Sequence, residues 1–238
     1  MDSNLRPAAE FAAKRKPIFD NESAEYARKR EALLAEEIEV RRHLGRLAAQ
    51  LRDLPRGPAI EQGFRFIDQN GSEIGLAEMF GKHSTLVLYH WMFGPERERP
   101  CPMCTNLLGP LNANAADIEQ RVALAVVARS RVERLISFAQ ERDWHHLRFF
   151  HTKGDDFSVK IGGLLPEKGW EMPALLVLLR DPEGTIRLHW MGEMIGEMAD
   201  PGEDPRGAVD LAPLWNILDL TPAGRGTDWY PKLSYPPD

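Results

Sequence analysis

Apolar residues recur every seven positions near the start of this chain: Tyr26, Leu33, Val40, Leu47 and Leu54. Leu44 and Leu51 fill the alternate positions of the second half, whereas Arg30 and Glu37 hold them in the first. This spacing predicts an amphipathic helix from about Ser23 to Leu54. Pro55 ends it, because a residue before proline is pushed away from helical geometry. The stripe either lies on the helix's own domain or pairs with a second copy, so a homodimer through this helix is one expectation. Residues 1 to about 20 are polar, contain Pro7 and Pro17, and show no period, which predicts a loose arm.

Arg56-Gly57-Pro58 signals a linker, and the pattern then changes. Phe64 to Ile67 alternates like a strand, with Asn70-Gly71 as a tight turn. Ser84 to Phe93 and Arg121 to Ala128 are apolar runs of the kind buried inside a sheet. Between them Cys104 to Gln120 predicts a helix, kinked or divided at Gly109-Pro110. Ser130 to Glu133 has the form of a capping box, opening a helix to about Arg142. A short strand follows at Leu147 to Phe150. Ala174 to Leu179 and Thr185 to Trp190 predict a hairpin around the turn Asp181 to Gly184. Met198 to Arg206 is rich in Pro, Gly and acid, which predicts a surface loop. The last helix covers about Val209 to Leu218. Strands alternating with helices give an α/β fold with a mixed sheet flanked by helices, preceded by a helical extension. The expected division is an arm and helix over 1–57, a sheet domain over 58–222 and a tail over 223–238.

Composition narrows the class. The 238 residues are 43% hydrophobic and 28% charged, with a net charge of −6, as in a soluble globular protein. Nucleic acid is not an expected partner, because there is no basic stripe. No apolar run reaches the length of a membrane span, and the N-terminus lacks a secretory core, so membrane is excluded and a cytoplasmic location is expected. The two cysteines are three positions apart. In a reducing compartment such a pair is a redox couple or half of a metal site.

Cys101-Pro102-Met103-Cys104 follows a buried strand and opens a helix. A thiolate is the nucleophile in disulfide exchange, and the unpaired amides of a helix start favour negative charge. Pro102 suits the first turn, where its missing N–H costs little. Cys101 is therefore the expected nucleophile and Cys104, one turn deeper, the resolving thiol. Arg97 and Arg99, in the polar loop Gly94 to Pro100, would lower the thiol pKa if they folded back over it.

Leu86 to Cys104, Ala128-Arg129-Ser130, Leu218 to Arg225 and the charged helix ending at Leu54-Pro55 resemble a bacterial thioredoxin-like family. It is catalogued as domain of unknown function eight-nine-nine, and the resemblance spans roughly residues 30 to 230. It implies a thioredoxin-like fold with no assigned substrate. It also implies that Pro173, about 70 residues after the cysteines and directly before a strand and hairpin, is a cis-proline facing them. Ordinary thioredoxins carry Trp before the first Cys and a buried acid in the preceding strand. Here Pro100 precedes Cys101, and the strand offers Tyr89 and His90, the expected groups for proton handling.

Three other readings fit parts of the pattern. Zinc would need four N/S ligands, and one CxxC with scattered histidines does not supply them. A peroxiredoxin-like thiol peroxidase would want a Thr shortly before its cysteine, where none stands. A redox-inactive binding scaffold would bury both thiols. The expected activity is thiol–disulfide exchange on a protein or small-molecule thiol or disulfide, with no bound cofactor. The expected site is Cys101, Cys104, Pro173, His90 and Tyr89.

Overall fold

The computed structural model describes residues 5–192, 213–222, 224 and 229–235. The loop expected at Met198 to Arg206 and the start of the last expected helix lie outside these residues. Contacts divide the chain into two units, Met1–Pro55 and Arg56–Asp238.

The first unit is helical. Helix α2 runs over Ala24–Arg52, and Ser23 caps it by accepting the Tyr26 N–H at 3.2 Å. The arm is not loose. Ala8–Ala12 forms a short helix, α1, whose Ala8 and Ala12 are buried. Alanine favours helix and lets two helices approach closely. Arg42 of α2 ties the arm down, stacking over Phe11 at 5.7 Å and donating to the Arg6 carbonyl at 2.8 Å. Most of the heptad stripe faces solvent: Tyr26, Leu33, Val40, Leu44 and Leu54 are exposed, Leu47 and Leu51 are half-buried, and no residue of α2 is fully buried.

The second unit is built on a seven-stranded sheet in the order β2-β1-β5-β4-β3-β8-β9. The strands are β1 (Arg65–Ile67), β2 (Glu73–Gly75), β3 (Thr85–His90), β4 (Ala123–Ala128), β5 (Phe149–Thr152), β8 (Ala174–Arg180) and β9 (Ile186–Met191). A separate pair, β6 (Leu164–Leu165) and β7 (Trp170–Glu171), is antiparallel. Strands β3, β4 and β5 are parallel, while β1 and β8 join antiparallel on either side. The apolar runs of β3 and β4 occupy the middle because only a strand covered on both faces can be apolar throughout.

One face packs on α3 (Pro102–Ile118) and α4 (Val132–Glu141) through Leu107, Leu108, Leu135 and Phe138. The other packs on a 3-10 turn, Ala77–Phe80, and on α5 (Asp156–Lys160), through Met79, Phe80 and Phe157. The last described helix is α6, Pro213–Asp219. This is a thioredoxin-like mixed sheet flanked by helices, with an N-terminal helical extension.

Three local expectations change. Helix α3 runs unbroken through Pro110. Gly109 has no Cβ to clash with the proline ring, and buried Leu107, Leu108 and Ala115 hold the helix to the sheet. Gly57 to Ile60 is not a free linker: Ile60 N donates to Ile186 O at 2.8 Å, and Leu188 N to Pro58 O at 3.0 Å, beside β9. Ser130 does not cap α4. Its hydroxyl donates instead to the Gly94 carbonyl at 3.0 Å, and Arg131 takes the cap position without a side-chain bond.

Candidate redox site

Strand β3 ends at His90, and the chain then crosses to α3 through Trp91 to Pro100. Cys101 is the residue just before α3, with Pro102 in its first turn. Its N–H donates to the Met92 carbonyl at 3.0 Å, and its carbonyl accepts from the Thr105 N–H and hydroxyl at 3.0 and 2.9 Å. These bonds fix the sulfur at the helix mouth. Cys101 is partly exposed and Cys104 is buried, and both are free thiols.

The two sulfurs are not equivalent. The Cys104 thiol hydrogen-bonds the Cys101 sulfur, which also faces the N–H groups of Cys104 and Met103, with the Arg97 charge nearby. Together these outweigh burial and pull the Cys101 pKa to about 6. Cys104 is pushed far up by the same shared bond, by burial and by the neighbouring charge. Behind it stands Tyr89, 2% exposed, whose hydroxyl hydrogen-bonds the Cys104 sulfur. Burial holds the Tyr89 hydroxyl well above its usual pKa, so it remains a donor. Cys101, Cys104 and Tyr89 thus form one line from the surface into the core.

His90 is elsewhere. Neighbours on a strand point to opposite faces, so Tyr89 looks toward α3 and His90 toward α5. The His90 Nδ1 lies 3.0 Å from the Met172 carbonyl and Nε2 lies 2.9 Å from the Ser158 hydroxyl. A carbonyl only accepts, so Nδ1 carries the proton and Nε2 accepts from Ser158. Burial lowers the His90 pKa to about 4, so the ring is neutral. It packs flat on Gly163, where an added Cβ would lie 2.6 Å from Nδ1. His90 therefore holds the Met172 carbonyl, on the face of β3 opposite Tyr89.

The Met172–Pro173 bond is trans, not cis as the resemblance implied. The Met172 N–H donates to the Gly163 carbonyl at 3.0 Å while its own carbonyl is taken by His90, so both sides of this residue are anchored. Pro173 lies at the start of β8, whose Ala174 pairs with His90 of β3.

Residues outside the expected set complete the surroundings. The Glu171 carboxylate is 7% exposed. It accepts from the Gly94 N–H and the Arg97 Nε–H, each at 3.0 Å, and from Arg129 at 3.4 Å. Arg129 also holds Asp155 in a two-bond pair at 2.7 and 3.1 Å. Arg134 grips the carbonyls of Arg97 and Glu98 and stacks over Phe93 at 4.7 Å. Arg99 pairs with Glu141 and stacks over Phe138. The polar loop before Cys101 is thus tied down at Gly94, Arg97, Glu98 and Arg99. No local signal marked Glu171 as buried, because its partners lie 42 to 77 residues away. Beside this loop a cleft of 430 Å³ opens between Met92, Arg97, Arg129, Trp170 and Glu171. Among the described residues no three His, Cys, Asp or Glu side chains gather as a metal ion would require, and no helix is long and apolar enough to cross a membrane.

Solved structures with a similar chain trace include a peroxidoxin, BcpB, from Mycobacterium tuberculosis, at 17% identity and a TM-score of 0.41 over 56% of this chain and 82% of that one. A mutant PrxQ from Xylella fastidiosa aligns at 12% identity and a TM-score of 0.43, over 58% and 84%. A SCO1/SenC family lipoprotein from Bacillus anthracis aligns at 21% identity and a TM-score of 0.39, over 54% and 82%. Comparison with curated proteins gives no match. Residues 14–235 match the family model described as bacterial protein of unknown function (DUF899), nearly the whole chain, and the protein belongs to that family.

Proposed function

We propose that this protein is a thiol–disulfide oxidoreductase with Cys101 as nucleophile and Cys104 as resolving thiol. The observation that carries this is the line Cys101–Cys104–Tyr89. A partly exposed sulfur sits at a helix start, a buried thiol donates to it, and a buried hydroxyl stands behind that thiol. An inert scaffold has no need of such an ordered gradient.

The Cys101 thiolate attacks one sulfur of a substrate disulfide. The substrate S–S bond breaks, a mixed disulfide forms, and half the substrate leaves as a thiolate. Cys104 then attacks the Cys101 sulfur. Its proton passes to the departing thiolate, the second half leaves, and a Cys101–Cys104 disulfide remains. The substrate gains two electrons, and an external dithiol must return them to the protein. Tyr89 donates to the Cys104 sulfur as it becomes a thiolate, so it stabilises that charge and does not act as the base. The anchored Met172 lines the cleft beside the loop, and Pro173, which follows it, is proposed to shape substrate access. His90 is a positioning residue that fixes Met172.

Titration in dithiothreitol redox buffers, with mass spectrometry of trapped thiols, tests this reading. A reversible Cys101–Cys104 disulfide, lost in Cys101→Ser and Cys104→Ser, is expected. If no such disulfide forms under any poise, the protein is not an oxidoreductase of this kind. If peroxide consumes Cys101 rapidly in Cys104→Ser as well, the activity is that of a thiol peroxidase.

A further inference from the structure

Arg97 reaches the cleft with a fork that is half used. Its Nε–H is held by buried Glu171, and no hydrogen bond engages its two terminal amino groups among the described residues. The other charges of the cleft are accounted for. Arg129 is spent on Asp155 and Glu171, Glu171 is shared by two arginines and Gly94, and Glu96 stands exposed at the rim. The donors left free in the cleft are therefore the two terminal amino groups at the outer edge of the Arg97 guanidinium. The Arg97 charge also acts on the Cys101 sulfur, and the Cys101 N–H is bonded to Met92, another wall of the same cleft.

Resting on the oxidoreductase reading above, we infer that the cleft beside Cys101 selects low-molecular-weight disulfides that carry a carboxylate, with Arg97 as the specificity-determining residue. A guanidinium pinned at Nε presents its two amino groups as a planar fork, the shape that a carboxylate accepts with two parallel bonds. Pinning by Glu171 removes the side-chain freedom that an exposed arginine would lose on binding. The volume of 430 Å³ lies in the range of small-molecule sites. Met92 and Trp170 supply apolar contact for the carbon skeleton. An anionic substrate is otherwise repelled by the Cys101 thiolate, and Arg97 offsets that repulsion at the point of attack.

The test measures oxidation of the reduced protein by three symmetrical disulfides: dithiodiglycolate, bis(2-hydroxyethyl) disulfide and cystamine. Each rate is divided by the rate of the same disulfide with free dithiothreitol, which removes intrinsic reactivity. The ratio of anionic to neutral substrate is then independent of the thiolate fraction of Cys101. A preference of about tenfold for the dicarboxylate is expected, the size of one charge-assisted bonded pair. Cystamine should be the slowest. The ratio should fall toward one in Arg97→Ala, recover in part in Arg97→Lys, and shrink with added salt in the native protein. A ratio of one or below in the native protein, or an unchanged ratio in Arg97→Ala, overturns the inference while leaving the oxidoreductase reading intact. If the variants do not fold, the salt dependence of the native ratio decides. If all three disulfides fail to oxidise cysteines that do form a disulfide in dithiothreitol redox buffers, the inference is overturned; if no disulfide forms there either, the parent reading falls.

Discussion

The buried Glu171 carboxylate accepts the Arg97 Nε–H at 3.0 Å, and the same carboxylate accepts the N–H of Gly94 three residues earlier. Two points of one loop are thus fastened to a single group on β7. At Gly94 an added Cβ would lie 2.2 Å from the Glu171 Oε1 and 2.9 Å from an Arg129 nitrogen. Gly94→Ala should displace the carboxylate and loosen Arg97. The expected outcome is a loss of about 1–3 kcal/mol in denaturant unfolding, together with a rise in the Cys101 pKa. A native-like pKa in the variant would show that the loop is not what aims Arg97.

The pH dependence of Cys101 follows from its partners. Its pKa is lowered to about 6, chiefly by the hydrogen bond from Cys104. Alkylation by iodoacetamide should rise through a midpoint near pH 6 and reach a plateau by neutral pH. Cys104→Ala removes the principal donor but keeps the helix amides and Arg97. The midpoint should move upward, toward the ordinary thiol range, without reaching it. A midpoint already near pH 8.5 in the native protein would mean that the thiolate is not stabilised.

Tyr89→Phe removes one hydroxyl from the core and leaves Cys104 without the donor behind it. The attack of Cys101 on a disulfide does not involve that hydroxyl, so formation of the mixed disulfide should keep its rate. Resolution by Cys104 should slow, by about tenfold for the loss of a bond to a developing charge. Rapid quenching with mass spectrometry separates the two steps. Equal slowing of both would place Tyr89 in a purely packing role.

The cysteines, the hairpin and the central strands were legible because each rests on local pattern: apolar runs, a CxxC at a strand-to-helix junction, a Pro-Gly turn. Tyr89 and His90 were both visible in the sequence, but only the pleat decides which one meets a sulfur. Glu171 was invisible because burial of a carboxylate depends on donors gathered from distant segments. Ser130 matched a capping pattern, yet the nearby Gly94 carbonyl took its hydroxyl. Pro110 looked like a helix breaker, and tertiary packing of its neighbours overrode it. Short β2, β6 and β7 carry too few residues to show a period at all.

The exposed stripe of α2 supports pairing with a second copy of the chain. Its seven-residue period extends over about 40 Å of helix, the form of a two-helix seam. Sedimentation equilibrium at micromolar concentration should give a dimer, and Leu44→Glu, a charge at the middle of the seam, should give a monomer. Leu44 is exposed in the single chain, so the substitution should not unfold it. A native monomer at that concentration rules the pairing out.

His90 should set the acid limit of the fold. It is fully buried and neutral, with both ring nitrogens bonded and its pKa lowered to about 4. An unfolded histidine titrates near 6.5. Between these values the unfolded chain holds a proton at this residue and the native chain does not. Stability must therefore rise with pH across that window and fall as pH drops through it. The contribution is complete above pH 6.5 and lost progressively toward pH 4, amounting to about 3 kcal/mol. Urea unfolding of the native protein and of His90→Gln at pH 7, 6, 5 and 4.5 isolates it. The variant should start less stable at pH 7, because Met172 and Ser158 lose well-placed partners. Its disadvantage should then shrink as the pH falls, since glutamine cannot take up a proton. A constant difference between the two proteins across the window would mean that native His90 takes up its proton at the same pH as an unfolded histidine, and that its Met172 and Ser158 bonds are arranged otherwise.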